Sequence, residues 1–232
     1  MDQDLAFLSK CTAEELKVLV KLMEDKFSES LSQEAKIYPT NHVDEIADEF
    51  CKFGGNTIAN LLFRGGEGVS YREILTDVCR DLKVPFNPAH TIEHIESNLL
   101  ETVLESAWDG MSEEDRQQFL NEMGHKGPIP KGGIWGLLML QGTKVAGFGF
   151  YQAAVFVANY VAKQVTGVGL TVAANATLTR ILAPMLVWLG PVVWAWTLVD
   201  IASPSKKVTI PGCIFIAAMR QIKASNLANK DI

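Results

Sequence analysis

Two long stretches without a charged residue decide how this chain folds: Val145–Ala162, VAGFGFYQAAVFVANYVA, and Ile181–Val199, ILAPMLVWLGPVVWAWTLV. Charged residues bracket each run, namely Lys144 and Lys163 for the first, and Arg180 and Asp200 for the second. Each run has about the length of a helix that crosses the hydrocarbon core of a bilayer, roughly 17–25 residues. The apolar region around them, residues 134–202, therefore sets the architecture, and no catalytic motif gives a comparably strong signal.

The charge of the chain is divided between its two halves. Residues 1–130 hold 25 acidic and 12 basic residues, a net charge of −13, whereas residues 131–232 hold 2 acidic and 9 basic residues, a net charge of +7. The acidic half would repel a phosphate backbone, which argues against nucleic acid as its partner. Sparse bases that flank apolar runs are typical of segments held near anionic lipid headgroups, but they also keep an apolar domain dissolved.

The first half, residues 1–126, has the pattern of a helical bundle. Thr12 and Glu15 form a capping box, and Ser70, Thr91 and Ser112 are N-cap residues before further periodic apolar segments. No part of this half alternates apolar and polar residues over a long stretch. The sequence predicts an all-α acidic bundle of about five to seven short helices, whose charged faces are solvated or bind a partner.

A linker rich in glycine and proline, residues 127–133, coincides with the change in charge. We therefore predict an acidic helical bundle over residues 1–126, this linker, and a hydrophobic, hairpin-like helical domain over residues 134–232. Near the end of that domain the pattern predicts an extended segment, Lys207–Ile210, followed by a helix with Pro211 at its N1 position and one apolar side.

The cysteines and the N-terminus indicate a reducing compartment. Cys11, Cys51, Cys79 and Cys213 are far apart in the sequence and form no C-x-x-C motif. Most lie beside apolar residues in helical patterns, which predicts buried free thiols. The start of the chain is acidic and lacks a basic segment leading into an apolar one, so we expect no cleavable secretion signal.

Several short motifs resemble those of a known family. They are Asp4-Leu5-x-Phe7-Leu8, Phe53–Asn60, Tyr71–Cys79, Leu82–Val84, Asp200–Pro204 and Lys207–Pro211, with Ile216, Ala217 and Arg220 after them. These residues are similar to the bacterial YaaW-like proteins, which have a distant similarity to the domain of ubiquinol–cytochrome c assembly chaperones. Lys206-Lys207 departs from the family pattern, which has an aromatic residue before arginine at this place. The resemblance covers most of the chain and implies a shared fold, but it supplies no activity and no catalytic residues.

One motif matches a catalytic pattern. His90-Thr-Ile-Glu93-His94 fits the H-x-x-E-H of inverted zinc proteases, which needs two imidazoles one helical turn apart, a carboxylate base and a third ligand downstream. Thr91 is the better N-cap, which leaves His90 outside the helix and off the face of His94. The acids available as third ligands have the spacing of a solvated helix face; they are Glu96, Glu101 and Glu105. We therefore expect two exposed or capping histidines, with no metal and no other cofactor.

The two uncharged runs allow two interpretations. In the first, they insert into lipid as a helical hairpin, with most bases of the second half on the cytosolic side. In the second, prolines and glycines divide the runs into core helices, because a proline inside a helix is costly in water. A hairpin that inserts on demand would reconcile the two. The aromatic residues placed to contact a membrane are Trp135, Phe148, Phe150, Phe156, Trp188, Trp194 and Trp196.

The preferred hypothesis is a non-enzymatic helical protein. Its apolar half associates with membrane lipids and its acidic half binds a protein partner, as an assembly or chaperone-like factor. One alternative is a pore-forming or membrane-perturbing protein with a buried hydrophobic hairpin. Another is a zinc-dependent hydrolase that uses His90, Glu93 and His94. The expected location is the cytoplasm or the cytoplasmic side of the bacterial inner membrane, and the sequence leaves oligomerisation open.

Overall fold

Every regular element in the part of the chain that the structure describes is helical. The computed structural model describes residues 1–24, 31–54, 68–122, 127–129, 131–133, 148–170 and 205–228. In these ranges a 3-10 helix, Gln3–Lys10, precedes the α-helices, and a 3-10 turn, Pro39–Asn41, lies between α2 and α3. The α-helices are α1 (Ala13–Glu24), α2 (Gln33–Ile37), α3 (Val43–Gly54), α4 (Tyr71–Asp81), α5 (Ile92–Asp109), α6 (Glu113–Glu122), α7 (Phe148–Thr166) and α8 (Lys206–Ala228). The predicted all-α class is confirmed for these residues.

The helices begin at the predicted capping residues. The Glu15 carboxylate accepts a hydrogen bond from the Thr12 backbone N–H at 2.7 Å, and the Thr12 hydroxyl accepts one from the Glu15 N–H at 3.3 Å. This reciprocal pair is a capping box at the start of α1. The hydroxyls of Ser70, Thr91 and Ser112 accept in the same way at the starts of α4, α5 and α6. Local sequence therefore fixes where these helices begin.

The last helix, α8, lies at the centre of the fold. All residues from 208 to 219 are buried, and the helix contacts α1, α3, α4, α5 and α7. This stretch contains no charged residue, as expected for a helix buried on every side. The sequence predicts only one apolar side for the helix, so the structure buries it more completely than its pattern indicates.

Helices from both halves of the sequence contribute to one hydrophobic core. Helix α7 packs against α8, α1 and α5. Its buried side chains are Ala154, Val155, Val157, Ala158, Tyr160, Val161 and Ala162. The described part of the first uncharged run thus lies in a protein core beside helices of the acidic half. The predicted separation into an acidic bundle and an apolar domain is not confirmed, and the boundary at residues 127–133 stays a prediction.

None of the helices in the described ranges is both long and apolar enough to cross a membrane. The second uncharged run, Ile181–Val199, lies outside the described residues. Several aromatic residues predicted to contact a membrane also lie outside them; these are Trp135, Trp188, Trp194 and Trp196. Helix α7 includes Phe148, Phe150 and Phe156, for which the structure describes the backbone and not the side chains.

The prediction of an extended segment before Pro211 is wrong. Helix α8 already begins at Lys206, and Pro211 lies inside it. The Ser205 carbonyl accepts hydrogen bonds from the N–H groups of Val208 and Thr209 at 3.0 and 2.8 Å, so the first turn is closed before the proline. A proline inside a helix costs about 3 kcal/mol. Fully burying one large apolar side chain contributes about 1.5–3 kcal/mol, and α8 buries several, so tertiary packing outweighs the proline.

Gly212 allows α3 to approach the backbone of α8. A Cβ atom at this position would overlap Cε2 of Phe50 and lie 2.8 Å from its Cζ. The Phe50 side chain is 1% exposed, and its ring centroid lies 6.5 Å from that of Tyr71. Because the ring is enclosed, it has no free space into which it could move.

We expect Gly212→Ala to lower the free energy of unfolding by about 1–3 kcal/mol, the usual cost of overpacking a closed core. This loss comes in spite of the higher helix propensity of alanine, worth about 1 kcal/mol. Urea denaturation followed by circular dichroism measures it. The control is Gly169→Ala, where a Cβ atom would meet only the side-chain oxygen of Asn159, at 3.2 Å. Equal midpoints for Gly212→Ala and the wild type would contradict the confinement of Phe50.

The turn after α4 holds a lysine in the left-handed backbone region. Lys83 has a φ angle of 56°. Its N–H donates to the Arg80 carbonyl at 3.2 Å, and the Val84 N–H donates to the Cys79 carbonyl at 2.8 Å. These two bonds define a Schellman motif, whose left-handed position is usually glycine. A residue with a Cβ atom is disfavoured there by roughly 1–2 kcal/mol.

We expect Lys83→Gly to raise the free energy of unfolding by up to about 1 kcal/mol, because relief of the backbone strain exceeds the greater entropy of glycine in the unfolded chain. Thermal unfolding measures the change. Lys17→Gly, at an exposed position inside α1, is the matched control and should lower stability by about 1 kcal/mol. A loss of stability in both variants would rule out strain at Lys83.

A buried ion pair as the candidate functional site

A buried polar cluster joins four separate parts of the chain. It consists of Glu96 in α5, Tyr71 at the start of α4 and Arg220 in α8, with the Asp4 carbonyl and the Phe7 ring from the N-terminal 3-10 helix beside them. We call Glu96, Tyr71 and Arg220 the Arg220 cluster. The capped starts of α4 and α5 place the tyrosine in the first turn of its helix and the glutamate in the second turn of its own.

The geometry of the Arg220 cluster is that of a charge-assisted network. Arg220 donates from Nε to Glu96 Oε2 at 2.6 Å and from Nη2 to Glu96 Oε1 at 3.2 Å. The Tyr71 hydroxyl donates to Glu96 Oε1 at 2.7 Å, and Arg220 Nη2 also donates to the Asp4 carbonyl at 2.6 Å. The Phe7 ring centroid lies 4.2 Å from the guanidinium carbon, within cation–π range. A bidentate arginine–carboxylate pair is among the strongest and most direction-specific hydrogen-bonded contacts in proteins.

Burial affects the pKa of every member of the cluster. Burial raises the pKa of Glu96, while Arg220 and the Tyr71 hydroxyl favour the carboxylate and oppose that shift. Burial also raises the pKa of Tyr71 well above its ordinary value, and the adjacent Glu96 carboxylate adds to this. Burial alone would lower the pKa of Arg220, but Glu96 more than offsets it. Tyr71 is therefore a neutral donor beside a charged arginine.

The arrangement suits the Arg220 cluster to holding helices together. The Glu96 side chain is 0% exposed and that of Arg220 is 12% exposed. Both carboxylate oxygens accept hydrogen bonds from other helices, namely α4 and α8. A general acid or base must come within hydrogen-bond reach of a substrate proton, and this carboxylate is enclosed by protein. The cluster fixes α8 against α4, α5 and the N-terminal segment.

A second ion pair fixes the same helix against α1. Lys223 Nζ lies 2.6 Å from Glu15 Oε2 and 2.9 Å from Oε1. The glutamate is the capping-box residue of α1, so it satisfies a backbone donor and a lysine together. Gln221 donates from Nε2 to the Ser97 hydroxyl of α5 at 3.3 Å. Arg220, Gln221 and Lys223 of α8 thus contact the N-terminal 3-10 helix, α1 and α5.

The sequence predicts Glu96 on a solvated face, and this prediction is wrong. Glu96 lies four residues after Ile92 and three before Leu99, two residues of the buried face of α5. Its position in the helix therefore puts it on the buried face, although its charge is typical of a surface residue. Glu101 and Glu105 are exposed, as predicted. The signal that was missed is a carboxylate on an apolar stripe, which implies a buried cationic partner.

The two histidines of the H-x-x-E-H motif lie on the surface. Thr91 caps α5, so His90 precedes the helix as predicted, and both imidazoles are exposed. Their ring centroids are nevertheless 4.4 Å apart, so the prediction that His90 lies away from the face of His94 is wrong. The turn before α5 places the His90 ring beside the His94 ring. Within the described ranges, no group of three or more histidine, cysteine, aspartate or glutamate side chains is arranged to hold a metal ion.

The four cysteines are free and buried, as the sequence predicts. Burial raises the pKa of Cys11, Cys51 and Cys79 to about 12, and it raises that of Cys213 well above its ordinary value. The thiolate is the reactive form of cysteine, so these thiols are poor nucleophiles near neutral pH. They serve the core as small apolar residues.

These features define a class of helical protein in which one buried helix, α8, is fixed by internal ion pairs. No protein-family model matches the sequence, and no solved structure matches it. A UPF0174 protein from Helicobacter pylori strain J99 is 35% identical over 236 aligned positions, which cover 94% of this chain and 91% of the relative. A UPF0174 protein from H. pylori strain 26695 is 33% identical over 184 positions, covering 75% and 86%. The UPF0174 protein YaaW from Escherichia coli K12 is 35% identical over 134 positions, covering 52% and 56%. The chain belongs to the UPF0174 family, and the resemblance to YaaW-like proteins is confirmed.

We expect Arg220→Met to lower the free energy of unfolding by about 3–5 kcal/mol, because it leaves the Glu96 charge buried without its partner. Urea denaturation at neutral pH measures the loss. Adding Glu96→Gln should restore part of it, since a neutral amide is less costly to bury than a carboxylate. The control is Arg80→Met, which removes an ion pair to Asp77 at a position 61% exposed and should cost less than about 1 kcal/mol. Similar losses for the two arginines would contradict the structural role of the cluster.

Proposed function

We propose that this chain is a non-enzymatic, membrane-associated helical protein that binds a partner as an assembly or chaperone-like factor. In this proposal the helical body holds an apolar segment, residues 171–204, at both of its ends, and the segment contacts lipid. The carrying observation is the 19-residue uncharged run Ile181–Val199, which lies in the sequence between α7 and α8. At about 1.5 Å per helical residue such a run is close to the roughly 30 Å of a bilayer's hydrocarbon core.

The anchoring of the segment supports this assignment. Before it, α7 is packed into the hydrophobic core. After it, Lys206 forms an ion pair with Asp81 of α4 at 3.0 Å, and residues 208–219 are buried. The Arg220 cluster then fixes α8 against α5. The helices on either side of the segment in the sequence are therefore both fixed in the described body.

The exposed acids of α5 and α6 support the binding of a partner. They are Glu93, Glu101, Glu105, Asp109, Glu113 and Glu114. Burial raises the pKa of Glu101, and the neighbouring Glu105 carboxylate adds to the effect, so the two like charges repel each other. A basic protein surface would relieve this repulsion. The chaperone-like part of the proposal rests on the family resemblance.

We expect the full chain to float with vesicles that contain phosphatidylglycerol, and to stay with them in high salt, because apolar contact is insensitive to screening. The variant Val187→Lys with Val193→Lys places two charges in the uncharged run and should abolish flotation. Flotation in a density gradient measures binding.

The control for flotation is Ile37→Lys, which changes an apolar side chain of the body that is 58% exposed. It should float like the wild type. Flotation that is lost equally in both variants, or that is absent from the wild type, would refute the role of the uncharged run. Release of an encapsulated dye from the same vesicles would favour a membrane-perturbing protein over a docking one.

A further inference from the structure

The exposed histidine pair at the start of α5 takes no part in the proposed membrane association. His90 and His94 lie on the surface with their ring centroids 4.4 Å apart and their ring planes at 82°. Imidazole is a ligand that suits copper, nickel and zinc ions. We propose that these two imidazoles form a surface chelate for a divalent transition-metal ion, with Cu²⁺ preferred and water completing the coordination.

The separation of the rings indicates the coordination geometry. An imidazole nitrogen binds a metal at about 2.0 Å, which puts the ring centroid at roughly 3.2 Å from the ion. Two such rings at a right angle about the ion have centroids about 4.5 Å apart, whereas tetrahedral ligands would have them about 5.2 Å apart. The 4.4 Å between the ring centroids of His90 and His94 is short enough for one ion to be shared, and it is closer to the value for adjacent square-planar or octahedral positions. That geometry is typical of Cu²⁺ and Ni²⁺, whereas structural zinc is tetrahedral.

The backbone at both histidines is held in place before any ion binds. Arg72 Nη1 donates to the His90 carbonyl at 2.8 Å and to the Pro88 carbonyl at 3.1 Å. The His90 N–H donates to the Asn87 carbonyl at 2.9 Å, and the His94 N–H donates to the Thr91 hydroxyl at 3.3 Å. Because the backbone is fixed, binding has to order only the two imidazole side chains, which lowers its entropic cost.

The charges around the pair have opposite effects on a cation. The Arg72 guanidinium and the positive end of the α5 dipole disfavour it. The carboxylates of Glu93 and Glu101 are exposed on the same helix, and Glu101 interacts electrostatically with His94. With two protein ligands in place of the three or four of dedicated zinc sites, the pair supports reversible binding and not the zinc hydrolysis that the H-x-x-E-H pattern indicates.

Titration of the full-length chain, prepared without a polyhistidine tag, with Cu²⁺ alone tests this proposal. We expect one bound ion whose electron paramagnetic resonance spectrum shows two coordinated imidazole nitrogens. His90→Gln and His94→Gln should each lose this signature while the circular dichroism spectrum stays helical, since both side chains are exposed. His125→Gln changes a histidine outside the pair and should retain it.

The relative affinity of the chain for three metal ions is a second readout. Ni²⁺ and Zn²⁺ should each bind more weakly than Cu²⁺, as the general order of divalent-metal affinities predicts. The proposal is overturned if the wild type binds no Cu²⁺ through two imidazoles. It is also overturned if the signature persists when both histidines are replaced, or if His125→Gln removes it as completely as His94→Gln does.

Discussion

A buried arginine that must keep its carboxylate partner constrains the rest of this structure. Arg220 and Glu96 are 124 residues apart in the sequence, and both are largely removed from water. Either charge alone would be unstable there, because the desolvation of an unpaired ion amounts to several kcal/mol. A shift of α8 by one helical turn, about 5.4 Å, would separate the two charges. The pair therefore specifies the register of α8, whereas apolar packing alone tolerates similar side chains in more than one arrangement.

The central position of α8 joins the acidic half and the second half of the chain in one hydrophobic core. Its helices turn apolar side chains such as Phe50, Ile74 and Leu99 toward the interior, and α8 contacts the helices that carry them. Without α8 those faces would meet water, so the first half depends on the last helix for a layer of its core. Small residues are necessary at such a centre, and Gly212 is where the backbone of α8 meets an aromatic ring.

How much the sequence can predict differs between local and non-local features. The caps at Thr12, Ser70 and Thr91 depend on side chains within three residues, and all were predicted from sequence. The course of α8 was not, because Pro211 disfavours a helix locally and only burial by five other helices overrides it. Glu96 was missed for a related reason. A carboxylate is expected to lie in solvent unless a cationic partner is known, and the partner of Glu96 is Arg220 in α8.

Four of the motifs that carry the family resemblance have structural roles in the described part of the chain. Asp4–Leu8 supplies the carbonyl and the ring that contact the guanidinium, Tyr71–Cys79 begins with the hydroxyl donor, and the motif that closes at Arg220 supplies the cation. Leu82–Val84 forms the Schellman turn that ends the tyrosine's helix. These stretches therefore specify how the body is assembled and not what it acts on. The two functional proposals therefore rest on residues outside the cluster, namely the uncharged run Ile181–Val199 and the exposed pair His90 and His94.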